Sequence, residues 1–408
     1  MGNARTPSPP TSLGRVNTGQ GRYARRAVTR HRVPRALAAA LAAIVLLSAV
    51  AGGATAAPSV DPELATRLQA RLDLWRVNHH APGVAAAVRL PDGSRWIGVS
   101  GKAIRGKGSR PVKPGTPFAV ASLTKTFMAA LVLQLRDEGH FWLGEPISRW
   151  LPWYPKADEI TVKMLLNHRS GIRDYFAHPR YEKLVFGRPK HVWKTREILK
   201  LVGPRYCAPG KCYRYSNTNY VLLGSIVRKV TGRTAAAEIR DRFLEPLELT
   251  DTYFQGREPI GKVPAKGYWW LGGRYKGFAD GSRMRPNTSA ATVASAAGAM
   301  VSSVRDISDW QDALLGGSLL KPKSMELMLT FPKSSGYGLG MRRATLDGQW
   351  GIGHGGSLRG FVSIMYRLPD EDLDVVILTN LGRTSVQGLA DKLTRVTLKH
   401  IETPDPTP

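Results

Sequence analysis

Two cysteines, 31 acidic residues against 59 basic ones, and a single long apolar stretch set the first limits on this 408-residue chain. Two cysteines allow one disulfide at most. The apolar stretch, Ala36 to Val50, is ~15 residues long and falls short of the ~20 that a membrane span wants. Also missing are a G-x-S-x-G elbow, an H-E-x-x-H helix and a Walker A loop. Their absence leaves no pointer to a nucleophile-elbow hydrolase, a zinc protease or a phosphate cradle. No metal site and no cofactor are expected. The shortage of acid leaves a net charge of +28, but no basic stripe or recognition fold goes with it. Nucleic acid is therefore not an expected partner.

What is present begins with the first 35 residues, which hold eight arginines and no Asp, Glu or Lys. The uncharged stretch 36–50 follows, then Gly52, Gly53 and the small residues Ala54-Thr55-Ala56. A basic segment, an apolar segment and an A-x-A site together read as a secretory signal peptide. Residues 1–57 are assigned to it, with cleavage favoured after Ala56; an uncleaved membrane anchor is the other reading. Removing those eight arginines from +28 still leaves +20 on the remainder. Such a surface suits an anionic cell wall or membrane through long-range attraction. A secreted or wall-associated monomer is expected. In an exported chain, Cys207 and Cys212 read as a disulfide around a Pro209-Gly210 turn, with two free thiols as the alternative.

Residues 58–80 have helical periodicity, with Asp61 able to cap and Pro62 in the first turn. Residues 83–102 read as two strands around a Pro91-Asp92-Gly93 turn. A long apolar-rich helix covers 124–138 and ends near Gly139. From 142 to about 290 short helices and loops are expected, helical at 160–168 and 220–231 and irregular over 255–290. Another helix is expected near 304–315. Three strands follow between 336 and 380, then a closing helix over 385–401. The expected fold is α+β: an antiparallel sheet flanked by the terminal helices, with a mostly helical insertion at about 140–290. The domain is placed at 58–402 and a Pro-rich tail at 403–408.

Three short motifs carry chemistry. Ser122-Leu123-Thr124-Lys125 puts a hydroxyl and an ammonium one helical turn apart. Serine needs an adjacent base, and a lysine whose pKa falls on burial can serve. The helix start also offers N–H groups to an oxyanion. The bland reading is a capping serine beside a solvated lysine. Tyr215-Ser216-Asn217 offers a phenol for proton transfer and an amide that both donates and accepts; the bland reading is a loop tyrosine and an asparagine cap. His354-Gly355-Gly356 falls where a strand of the C-terminal sheet should begin, and its glycines let a substrate backbone approach. The G-x-G-x-x-G at 351–356 lacks a following helix and is not read as dinucleotide-binding.

In this order and spacing the three motifs resemble the serine β-lactamase and D-alanyl-D-alanine carboxypeptidase superfamily, in its class C-like branch. Residues 165–171, 209–220, 297–302 and 337–340 add to the likeness, which covers roughly 60–400. Secreted actinobacterial D-alanyl-D-alanine carboxypeptidases are the nearest match. They carry His-Thr-Gly and Leu-Arg-Arg where this chain has His354-Gly355-Gly356 and Met341-Arg342-Arg343. The resemblance implies a β-lactamase/transpeptidase-like fold and an acyl-enzyme on Ser122. Lys125 and Tyr215 would move its proton, and His354 would polarise or shuttle protons opposite Lys125. The N–H groups of Ser122 and Ser357 would hold the oxyanion, and Asn217 would orient the acyl-side amide. Ser357 stands in for the missing threonine hydroxyl, and Arg342 or Arg343 would bind a substrate carboxylate. Gly355 and Gly356 would line the substrate. The implied substrate is the D-Ala-D-Ala end of a peptidoglycan stem peptide, with β-lactams as further ligands. A β-lactamase and a small-acyl esterase are the alternatives within the fold. A silent penicillin- or wall-binding module is the alternative outside enzymology, and it would have no need of Ser122, Lys125 and Tyr215 all intact.

Overall fold

The computed structural model describes residues 60–402 except residue 318. The signal segment 1–57 and the tail 403–408 lie outside the described residues. Helix α1 (Pro62–Asn78) starts where the sequence puts its signals: Asp61 accepts from Leu64 N at 2.8 Å and Pro62 opens the first turn. Its buried stripe is Leu64, Leu68, Leu72 and Trp75.

Strands β1 (Gly83–Arg89) and β2 (Arg95–Ile104) form the expected hairpin, and β3 (Arg110–Pro111) adds a short edge. β4 (Phe118–Ala119) leads into α2 (Thr124–Asp137). Eleven of the fourteen residues of α2 are buried, so it is a core helix with no polar face. Short helices follow: α3 (Val162–Leu166), α4 (Tyr181–Phe186) and α5 (Thr195–Leu199). The longer α6 (Asn217–Thr231) is then followed by α7 (Ala235–Ile239) and β5 (Tyr253–Phe254).

The stretch read as irregular over 255–290 contains a hairpin, β6 (Gly267–Trp270) with β7 (Tyr275–Phe278), and the start of helix α8 (Thr288–Gly298). The hairpin is held by neighbours far away in sequence, with Tyr268 N donating to Asn380 O at 2.9 Å. All but one of the α8 residues are buried, which leaves no polar stripe for periodicity to detect. β8 (Met300–Ser302), α9 (Val304–Leu315) and α10 (Pro322–Met328) follow. The C-terminal sheet has four strands where three were expected: β9 (Arg342–Leu346), β10 (Gln349–Leu358), β11 (Phe361–Leu368) and β12 (Leu373–Thr379). The long middle run is folded in two by a two-residue turn at Arg359-Gly360, where Gly360 has φ +85°. Helix α11 (Gln387–Glu402) closes the chain.

The main sheet runs β3-β2-β1-β12-β11-β10-β9, with every pairing antiparallel. The pleat separates two cores. Val84, Ala86, Val88, Val375 and Ile377 face α1 and α11, whereas Ala85, Ala87, Val376 and Leu378 face the helices around α2. Small sheet β4-β8-β5 lies beside the α2 start, with Phe118 opposite Ser302. No described helix is long and apolar enough to cross a membrane.

Candidate active site

Ser122 sits in a single 3-10 turn, Ala121–Leu123, that runs directly into α2. The residue before it, Ala121, has φ +50°, a left-handed conformation that a non-glycine adopts only when its surroundings impose it. One turn on, the buried Lys125 brings Nζ to 3.1 Å from Ser122 Oγ. The same Nζ donates to Asn217 Oδ1 at 2.8 Å and to Ala297 O at 2.6 Å.

Burial pushes the Lys125 amine down to about 7, with Asp174 pulling the other way. Asp174 is reached through Asn217, whose Nδ2 donates to Asp174 Oδ2 at 2.9 Å. A carboxylate only accepts, so this bond turns the Asn217 carbonyl toward Lys125. Asn217 Oδ1 and Ala297 O are both pure acceptors and engage two N–H bonds of Lys125. In the neutral amine the remaining position faces Ser122 as a lone pair.

The Tyr215 hydroxyl lies 3.0 Å from Ser122 Oγ and donates to it. Burial raises this phenol well above its ordinary range, so it rests as a neutral donor. A phenolate base is thus disfavoured, and a proton relay fits. Tyr215 is set in place from behind by His168, its ring centroid 4.2 Å away. His168 is buried with φ +58°, and its Nδ1 accepts from Ser216 N at 3.1 Å. Burial, with Lys125 nearby, holds this imidazole neutral.

Cys207 and Cys212 are joined as a disulfide. The loop it closes is laced to 168–171: Tyr206 N donates to Gly171 O, Gly210 N to Arg169 O and Arg214 N to His168 O. The next residue is Tyr215, so the cross-linked loop delivers the phenol.

His354 lies in the middle of β10, not at a strand start. Its Nδ1 is 2.6 Å from Gly355 O, a pure acceptor, so Nδ1 carries the proton and Nε2 accepts from the Tyr337 hydroxyl at 2.9 Å. Burial drives its pKa down to about 3, with Lys125 adding to the effect. Among the described residues no hydrogen bond links His354 to Ser122 or Lys125. Its ring is 6.3 Å from that of Tyr215. Gly356 has a clear steric reason: a Cβ there would lie 2.3 Å from Val120 O and 3.1 Å from Ser122 N. The glycine makes room for the backbone of Ser122, the expected nucleophile.

The cleft in front of Ser122 has a volume of about 490 Å³. Tyr215, Asn217, His354, Gly355, Ser357 and Arg342 all line it, and no Asp or Glu does. Arg343 also lines it, but its guanidinium covers the Trp350 ring at 5.1 Å. Arg342 is exposed, makes no side-chain ion pair or hydrogen bond among the described residues, and is free for a ligand. The structure thus brings all nine of the expected catalytic and substrate-facing residues to one place.

Sequence reasoning missed Asp174, His168, Tyr337 and the carbonyl of Ala297. His168 and Tyr337 fall in or beside stretches that carried the family likeness. The need of a buried lysine for a counter-charge was the available signal for Asp174.

The sequence model of the Beta-lactamase family matches residues 33–398. The chain belongs to the beta-lactamase family. It is a serine hydrolase of that family. Among solved structures it is similar to a D-amino acid amidase from Ochrobactrum anthropi SV3, 30% identical at a TM-score of 0.71. That likeness covers 84% of this chain and 100% of the other. A D-stereospecific amidohydrolase from a Streptomyces is 28% identical at a TM-score of 0.68, covering 82% of this chain and 98% of that one. Among curated relatives it is similar to the teichoic acid D-alanine hydrolase of Staphylococcus aureus, 29% identical over 157 residues. That match takes in 38% of this chain and 37% of the relative, so the chain spans little more than a third of that protein's length.

Replacing Asp174 with asparagine in this beta-lactamase-family site removes the charge that holds the Lys125 pKa up. The acidic limb of the pH–rate profile for Ser122 acylation should then move to lower pH. A limb that stays put or moves up would show that Asp174 does not act on Lys125.

Proposed function

We propose that the protein is an exported serine D-alanyl-D-alanine carboxypeptidase that removes the terminal D-Ala of peptidoglycan stem peptides. The observation that supports this reading is the charge of the cleft: an unpaired Arg342 lines the same cleft as Ser122, and no carboxylate lines it. A free C-terminal carboxylate would meet a bidentate partner there. The α-ammonium of a free amino-acid amide would meet none.

Ser122 Oγ attacks the penultimate carbonyl while its proton passes to the neutral Lys125 amine. Tyr215 relays a proton to the departing D-Ala nitrogen and is reprotonated from Lys125. The N–H groups of Ser122 and Ser357 receive the oxyanion. Asn217 holds the acyl-side amide, and neutral His354 with Tyr337 forms the cleft wall opposite. Water then attacks the ester by the same proton path and frees Ser122. The basic surface and the expected signal peptide support action at an anionic wall.

A second reading is hydrolysis of D-alanyl esters or D-amino acid amides, supported by what the named relatives act on. The test is release of D-Ala from an acylated D-Ala-D-Ala dipeptide, measured beside hydrolysis of D-phenylalanine amide. Arg342→Ala should lower kcat/KM for the dipeptide by roughly 10- to 100-fold, the worth of one charge-assisted bidentate contact. It should leave the amide reaction within about twofold. Equal losses on both substrates would remove Arg342 from carboxylate recognition. Amide hydrolysis without dipeptide hydrolysis would select the second reading. A time course with a fluorescent penicillin and intact mass separates the remaining alternatives. A long-lived adduct favours the carboxypeptidase, and rapid drug turnover a β-lactamase.

A further inference from the structure

Helix α8 has two working faces. Ala294, Ala297 and Gly298 line the catalytic cleft. Thr292, Ser295 and Ala296 line a separate cavity of about 500 Å³ behind it, bounded also by α6 and by the segments at 192–195 and 254–257. The two cavities share no residue.

The rear cavity is apolar at its base, with Val221, Phe254 and Ala296 buried. Its polar lining is one-sided in charge: Lys194, Arg228 and Arg257 are present, and no Asp or Glu. Nearby arginines on the same part of the molecule are paired, Arg240 with Glu258 and Arg242 with Glu138 and Glu238. Arg228 and Arg257 have no side-chain hydrogen bond or ion pair among the described residues. A pocket of this size, with an apolar floor and exposed unpaired arginines in its lining, has the make-up of a small-molecule site.

The wall between the two cavities is locally unusual. Ser295 breaks α8 with φ +46° and ψ −141°, far from helical values and in a region that L-residues rarely occupy. Ser295 lines the rear cavity, and its hydroxyl has no hydrogen-bond partner among the described residues. Two residues on, the carbonyl of Ala297 holds Lys125 Nζ at 2.6 Å. Gly224 of α6 presses on the same segment, since a Cβ there would stand 3.0 Å from that of Ala296.

We infer that the rear cavity binds a small anionic amphiphile, an apolar body bearing one oxyanion group, and that its occupancy is felt at Lys125 through residues 295–297. The oxyanion is held by Arg228 and Arg257, and the apolar body rests on Val221, Phe254 and Ala296. A ligand that engages the Ser295 turn alters the placement of the Ala297 carbonyl, and so the base that serves Ser122. Only a ligand that favours one arrangement of that turn can transmit anything.

The probe is 8-anilinonaphthalene-1-sulfonate, with uncharged N-phenyl-1-naphthylamine as its neutral counterpart. Fluorescence titrations use the full chain, first free and then with Ser122 capped by a fluorophosphonate. The sulfonate should bind both forms alike. The double variant Arg228→Ala/Arg257→Ala should weaken sulfonate binding at least tenfold and neutral-probe binding less than twofold. Arg342→Ala should change neither. Saturating sulfonate should alter the rate of fluorophosphonate capture by at least threefold in the natural chain and not in the double variant.

Unchanged sulfonate affinity in the double variant overturns the site. So does loss of binding on capping Ser122 or in Arg342→Ala, which would put the probe in the catalytic cleft. Binding without a change in capture rate overturns the coupling. The binding measurements do not depend on which bond the enzyme hydrolyses.

Discussion

Ser122→Ala should abolish covalent capture by penicillins and fluorophosphonates, and lower turnover of any substrate by about 10⁴-fold or more. The size follows from the arrangement around Oγ. Among the described residues, Lys125 Nζ at 3.1 Å and the Tyr215 hydroxyl at 3.0 Å hydrogen-bond to no hydroxyl but that of Ser122. Without the nucleophile the remaining groups retain only binding and oxyanion stabilisation, which supply a small residual rate. Intact mass after incubation with the labelling reagent is the direct measurement. An adduct of full stoichiometry on the alanine variant would place the nucleophile elsewhere.

Lys125→Met should lower the acylation rate by about 10³-fold, the middle of the range that one general base contributes. Methionine fills the buried space, but its thioether is no base for the Ser122 proton and gives no donors to Asn217 and Ala297. The pH dependence makes the assignment specific. With Lys125 as the proposed base, the active form is the neutral amine, and burial brings its pKa down to about 7. The natural enzyme should therefore lose rate as pH falls below about 7, approaching tenfold per unit, and level off above it. Tyr215 and His354 should not create that limb, because burial keeps the phenol protonated and the imidazole neutral there. Lys125→Met should retain a small rate with no limb near 7. A limb that survives in the variant would transfer the titration to another group.

The signals that could be read along the chain were local ones. The S-x-x-K spacing was legible because i and i+3 share a helix face whatever surrounds them. The start of α1 was legible because Asp61 and Pro62 act on their own turn. The strands β1, β2 and β12 and the helices α2, α9 and α11 stood out through continuous apolar runs or clear stripes. Where these signals vanish, elements were hidden. Helix α8 is buried all round, so its alanine-rich sequence carries no periodicity. Hairpin β6–β7 draws its support from Asn380 and the neighbourhood of Gly360, more than 80 residues away.

The site divides in the same way. Its nucleophile, base and phenol could be nominated from residue type and order, as could the two cysteines ahead of Tyr215. Asp174 could not, since its tie to Lys125 runs through Asn217, 43 residues on. His168 and Tyr337 act only by contact with Tyr215 and His354, which sequence distance conceals.

The sequence by itself determined the family and nominated the candidate reacting groups, because the motifs that carry them rest on neighbours within a few residues. The tertiary structure alone decided the chemical state of those groups. The Lys125 amine falls to about 7 only because α2, α6 and α8 close over it and exclude water. Desolvation belongs to the packed interior, and no stretch of chain has it alone.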